Sequence, residues 1–156
     1  MKAFFVSISF VLLFACSSKK KVCDIRVEDQ IYLSIEKTPC FGQCPIFKME
    51  LLDSSSLKFN AVRFMDVNGN FEGDLSRKSY TDLKELASNV NWNGLQKEYL
   101  TGYSDLPSTI LSYSAIDGDT TVVRYESNIA PENVSKLGTR LSQIQKTTTW
   151  KSVEYK

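Results

Sequence analysis

The feature that most constrains the fold is a strict period-two alternation of apolar and polar residues beginning at Ile31 and returning in several short runs. Ile31, Leu33 and Ile35 point one way while Tyr32, Ser34 and Glu36 point the other. Such alternation is the pattern of a strand with one buried and one wet face. Phe47, Met49 and Leu51 alternate with Lys48 and Glu50, and, after Asp53-Ser54-Ser55-Ser56, Leu57, Phe59 and Ala61 alternate with Lys58 and Asn60. A chain built this way must set its strands in a sheet covered on one side only.

The covering layer is legible further on. Asn68-Gly69 is a hairpin signal for a type I′ turn, with a short strand expected from Phe71 to Leu75. Ser79 with Asp82 three residues later marks a helix start, and Leu83, Leu86, Ala87 and Val90 supply an apolar stripe, which predicts a helix over 79–91. Ile110 to Ile116 and Thr120 to Tyr125 read as a second hairpin around Asp117-Gly118. Pro131 suits the first position of a helix whose Val134, Leu137, Leu141 and Ile144 share a face. The expected fold is α+β: a two-layer sandwich of order ββββ-α-ββ-α, its sheet mainly antiparallel and both helices on one face. Residues 30–147 form this single domain, and the tail 148–156 is either an edge strand or loose.

The first 15 residues follow a different logic. Lys2 precedes an apolar stretch from Ala3 to Ala15, too short for the roughly 20 residues that cross a bilayer as a helix, so it reads as a cleaved signal. Leu13-Phe14-Ala15-Cys16 resembles the lipobox of bacterial lipoproteins. That resemblance implies a diacylglycerol on the Cys16 thiol, cleavage before Cys16 and acylation, as by palmitate, of the new amine. Two or three acyl chains hold a protein to a membrane where one is marginal. Ser17 after the cysteine, in place of an acidic residue, implies by the same resemblance the outer membrane of a bacterial cell envelope, facing the periplasm. Residues 16–29 then form the lipidated N-terminus and a polar tether, with Lys19-Lys20-Lys21 beside the lipid. Cys23, also in the tether, is an unassigned thiol.

Composition excludes several classes of function. Without residues 1–15 the chain carries 18 basic and 18 acidic residues, so nothing in its charge predicts a nucleic-acid partner. Histidine is absent from the chain, which removes Ser-His-Asp and Cys-His catalysis, HExxH zinc sites and most copper sites. No cofactor or metal is expected. Asp66-Val67-Asn68-Gly69-Asn70 begins like a calcium loop, but Phe71 stands where glycine is needed and Arg77 where glutamate is needed. The acid pairs Asp117/Asp119 and Asp82/Glu85 belong to a turn and a helix start, and read as solvated surface.

Thr38-Pro39-Cys40-Phe41-Gly42-Gln43-Cys44-Pro45 is the one constellation here with evident chemistry. Two thiols four residues apart, with Gly42 between them, can approach to the roughly 4.4–6.8 Å between Cα atoms that a disulfide needs if the chain turns sharply. In an exported protein such a bond persists. We read Cys40 and Cys44 as a structural disulfide, with thiol exchange, Cu(I) carriage and an inert reduced pair as open alternatives. The octapeptide between two strands resembles an uncharacterised family of small bacterial lipoproteins, a domain of unknown function, with likeness from about Ile31 to Ile144 that includes Ser104-Asp105-Leu106-Pro107. The resemblance implies fold and compartment, and brings no activity with it. Cys-x-x-x-Cys-Pro is also similar to the copper-binding turn of Sco-type thioredoxin-fold copper chaperones, but that family needs a histidine and a helix after the turn. Here histidine is absent and a strand follows.

A final candidate is the long connection 92–107. Unstructured loops of this length are often functional, and Trp92, Tyr99, Tyr103 and Asp105 would line a recognition surface, or else the aromatics cover the end of the core. The function expected from sequence is a membrane-anchored, non-enzymatic envelope lipoprotein that binds an envelope protein or component. The alternative is a thiol-redox or Cu(I)-handling protein using Cys40 and Cys44.

Overall fold

Strand β1 (Ile31–Lys37) sits near the middle of an eight-stranded sheet, between β2 (Ile46–Leu52) and β6 (Ser108–Ser114). The computed structural model describes residues 30–115, 118–127 and 129–154. The signal, the tether with Cys16, Lys19 to Lys21 and Cys23, and Asp117 of the second turn lie outside the described residues. Beyond β2 come β3 (Ser56–Arg63), β4 (Gly69–Asp74) and β8 (Lys151–Val153), and beyond β6 come β7 (Thr120–Glu126) and β5 (Glu98–Tyr99). Every described pairing is antiparallel except β5 with β7. Helices α1 (Arg77–Ser88) and α2 (Glu132–Thr147) supply the second layer. This is the expected α+β sandwich.

Register explains why one face is dry. Val123, Leu111, Ile35, Met49, Phe59 and Phe71 lie opposite one another in a row across six strands, and all are buried. Against them pack Leu83 and Ala87 of α1 and Val134, Leu137, Leu141 and Ile144 of α2. Each fully buried large apolar side chain contributes about 1.5–3 kcal/mol, so this layer stabilises the fold. The opposite face carries Ser34, Glu50, Lys58, Glu72 and Lys151 in register, with Lys48 and Glu50 paired at 2.6 Å.

Several local details differ from expectation. Helix α1 is capped by Ser76, whose Oγ accepts the Ser79 N–H at 3.1 Å, so the helix begins before Ser79 and ends at Ser88. Pro131 is the cap before α2, with ψ 144°, and the helix starts at Glu132. Asn68-Gly69 is not a two-residue turn. Gly69 already pairs with Ala61 inside β4, and the chain reverses over residues 64–68 with Phe64 at φ 55°. At the second hairpin the Ala115 N–H donates to the Asp119 carbonyl, and Gly118 takes φ 93°. The tail after α2 forms β8. There Trp150 stacks on Phe59 with centroids 4.7 Å apart and donates its Nε1–H to the Gln145 carbonyl.

A bulge at Tyr32 shifts the β1–β2 register between Ile31 and Leu33. It turns Tyr32 onto the edge of Tyr113, with ring centroids 5.5 Å apart, and beneath the Lys84 ammonium of α1. Burial, then the neighbouring phenols of Tyr113 and Tyr80, push the Tyr32 hydroxyl up to about 12.

Candidate functional site

The loop joining β1 to β2 begins with a residue that ties two strands together. The Thr38 N–H and hydroxyl both donate to the Ser108 carbonyl, at 3.0 and 3.3 Å, and the Ser108 N–H donates back to Thr38 Oγ1 at 2.8 Å. Pro39 and Pro45, which lack a backbone donor, stand at the two ends of the turn and stop the ladder from continuing through it. Between them Cys40 and Cys44 are joined in a disulfide, with Cα atoms 5.8 Å apart. Gly42 stays out of the left-handed region, and a Cβ there would meet only Cys40 Sγ at 3.9 Å. The sulfur link and the flanking prolines therefore set this turn, and Gly42 is not needed to open it.

The second candidate loop is fastened to the first. The Phe41 N–H donates to the Asp105 carbonyl at 3.5 Å. Buried Glu126 holds the other end: its Oε2 accepts the Thr101 N–H at 2.9 Å and the Thr101 hydroxyl at 2.7 Å. These two Thr101 bonds, together with Arg124 and Ser108, keep the Glu126 carboxyl below its ordinary value of 4.5. Arg124 in turn donates through Nε to Ser108 Oγ at 2.9 Å. Ser108 thus joins the disulfide loop, β7 and the 100–107 segment.

The residues singled out in that segment go to different places. Trp92, in a 3-10 turn (Trp92–Gly94), is 8% exposed, stacks on Tyr113 at 4.8 Å and caps α1 by donating Nε1–H to the Ala87 carbonyl. Half-buried Tyr99 lies in β5 and accepts the Gln96 N–H on its hydroxyl. Tyr103 is 73% exposed, and the Asp105 side chain is also exposed and accepts the Ser104 hydroxyl. Phe41, at the tip of the disulfide loop, is 93% exposed, a position the sequence reading did not single out. The structure therefore brings Phe41 and Tyr103 onto two adjoining, mutually fastened loops, and leaves Trp92 and Tyr99 in the body of the domain.

On the helix side of the same sheet end lies a groove of about 860 Å³. Phe47, Phe64, Met65, Val67 and Trp150 form its apolar lining, with Cys44, Pro45 and Pro107 along the rim. Lys37, Asp66 and Lys146 supply charge, and no two of them form an ion pair. Half-buried Lys37 donates from Nζ to Thr109 Oγ1 at 2.6 Å, and burial holds its ammonium below the ordinary lysine value of 10.5. No group of three or more His, Cys, Asp or Glu side chains suited to a metal occurs among the described residues. The groove was illegible in sequence because its walls come from four separate segments, 37–47, 64–67, Pro107 and 142–150.

An open, mainly antiparallel sheet, covered on one face by two helices and stapled by a disulfide at one end, defines a small α+β sandwich with exposed aromatic loop tips at that end. The chain belongs to the family described as a domain of unknown function, DUF6438, which matches residues 31–145. No curated protein matches it.

Proposed function

We propose that this protein is a lipid-anchored binding module of a bacterial envelope, and that the disulfide end of its sheet is the recognition surface. The observation that carries the reading is the exposure of Phe41 and Tyr103, 93% and 73%, on loops fastened together through Phe41–Asp105, Thr38–Ser108 and Thr101–Glu126. Large aromatics held out on rigid supports lose little conformational freedom on binding and make strong contact anchors. The Cys40–Cys44 bond serves shape in this reading. With the two sulfurs bonded to each other, neither is a thiolate able to hold Cu(I) or attack a disulfide.

Anchoring rests on Leu13-Phe14-Ala15-Cys16 after an apolar segment, and the outer membrane facing the periplasm is the proposed location. The partner is an envelope protein or component. Membrane fractionation with mass spectrometry of the N-terminal peptide tests the anchor: an acylated Cys16 as first residue, and release by Cys16→Ser, are expected. A Cys16→Ser chain that still sediments with membranes would sink it. Photo-crosslinking from position 103, compared with position 58 on the open sheet face, tests the recognition surface. Crosslinks should form at 103 and vanish in Phe41→Ser, and equal yields at both positions would refute the assignment.

A further inference from the structure

We infer that the groove between the disulfide loop, residues 64–67 and the end of α2 binds an acyl chain bearing one carboxylate, with Lys37 receiving the head. The groove is separate from the aromatic loop tips, and the inference stands whether or not those tips hold a partner.

The position of Lys37 is the starting point. In its row across the sheet it lies between Thr109 and Phe47, with Tyr125 and Ala61 beyond them, on the face that elsewhere packs against the helices. Thr109, Tyr125, Phe47 and Ala61 are all buried. A lysine at the edge of a core ordinarily snorkels, laying its methylenes on apolar surface and carrying its ammonium into water. Here the ammonium is held back by Thr109 Oγ1 at 2.6 Å, and no described carboxylate lies within 4.0 Å of it. An ammonium has three donors and Thr109 takes one, so this half-desolvated cation keeps free N–H groups and an uncompensated charge, whose attraction for an anion is stronger here than in bulk water.

The remaining lining decides what accompanies the anion. A volume of about 860 Å³ falls within the roughly 300–1,000 Å³ of small-ligand sites. Phe47, Phe64, Met65, Val67 and Trp150 offer apolar surface and a flexible thioether, while Ser142, Gln145 and Lys146 are the polar groups on the α2 side. A peptide would bring an N–H and a C=O with every residue and find few partners here. A hydrocarbon tail needs none. Lys37 and Lys146 against the single Asp66 favour a monoanion.

The test uses the full chain in its membrane and a dodecanoate carrying a diazirine on its tail, with labelled residues mapped by mass spectrometry. Label is expected on peptides containing Phe64 to Val67 and Ser142 to Trp150, displaced by excess dodecanoate and at least tenfold less effectively by dodecanol. Lys37→Met should cut labelling about tenfold, and Lys37→Arg should retain most of it. Dodecanol competing as well as dodecanoate, label scattered over the surface, or undiminished labelling of a folded Lys37→Met chain would each overturn the inference. If Lys37→Met does not fold, the dodecanoate and dodecanol comparison on the unchanged chain decides alone. Stronger competition by a free-carboxylate apolar peptide than by dodecanoate would overturn it in favour of a polypeptide C-terminus.

Discussion

Gly138, in the middle of α2, lies directly against the phenol oxygen of Tyr125 on β7, so close that a Cβ there would overlap it. Glycine in a helix interior ordinarily costs about 1 kcal/mol relative to alanine. Here that cost is offset by the close approach of helix to sheet. Gly138→Ala should therefore destabilise the domain by about 1–2 kcal/mol despite its better helix propensity. In a Tyr125→Phe background, where the nearest atom left would be the ring carbon at 3.2 Å, the loss should shrink by at least about 0.5 kcal/mol. Urea unfolding of the two single variants and the double checks this, and strict additivity would refute the contact.

The start of α1 offers a two-serine test. Ser76 is the side chain that accepts the helix N–H, whereas Ser79 contributes that N–H from its backbone. Ser76→Ala should cost about 1 kcal/mol, and Ser79→Ala about 0.5 kcal/mol or less, in thermal or urea melts.

Removing the disulfide with Cys40→Ser and Cys44→Ser should lower stability by less than the roughly 3 kcal/mol expected for a 15-residue loop, because so short a loop closes little unfolded-state freedom. The three Thr38–Ser108 hydrogen bonds remain, so the sheet register should hold. Hydrogen exchange should quicken at Phe41, whose N–H bond to Asp105 spans the two loops, and stay slow in β1.

Glu126 predicts an acid-sensitive loop. Its carboxyl lies below 4.5 in the folded protein, chiefly because the Thr101 N–H and hydroxyl bond the charged form. A lowered folded pKa contributes stability that is present above the unfolded value and is lost as pH falls through the folded one. Melting temperature should fall as pH drops below the ordinary value of 4.5 and through the lowered folded one, with Thr101 losing exchange protection first. Glu126→Gln should start lower at neutral pH and lose less over that window. An equal acid response in both proteins would rule the contact out as its cause.

Most of the sheet and both helices could be read from periodicity, because Leu33, Ile35, Met49, Phe59 and the Val134 to Ile144 stripe obey their periods without interruption. Two short elements held by tertiary contact carry no periodic signal, and the second is the edge strand that the sequence offers as one of two outcomes for the tail. Glu98-Tyr99 makes a two-residue parallel strand with no alternation to detect, and Lys151–Val153 is fixed by Trp150 on Phe59. Asn68-Gly69 misleads because Phe64 adopts the left-handed conformation instead, lengthening the turn to five residues. At the candidate site the cysteine pair was legible from its spacing. The exposure of Phe41, the burial of Trp92 against Tyr113, and the placing of Lys37 in a groove were not, since each depends on a residue far off in sequence.

The sheet ends in strands of only two residues at β5 and three at β8. Each gives an incoming strand little length to grip, but β5 covers β7 only at Arg124 and Tyr125 and leaves Thr120 to Val123 open on that margin. Where copies of this protein crowd together, that open stretch of β7 is where one sheet would add to the next, while the β8 margin offers only three residues.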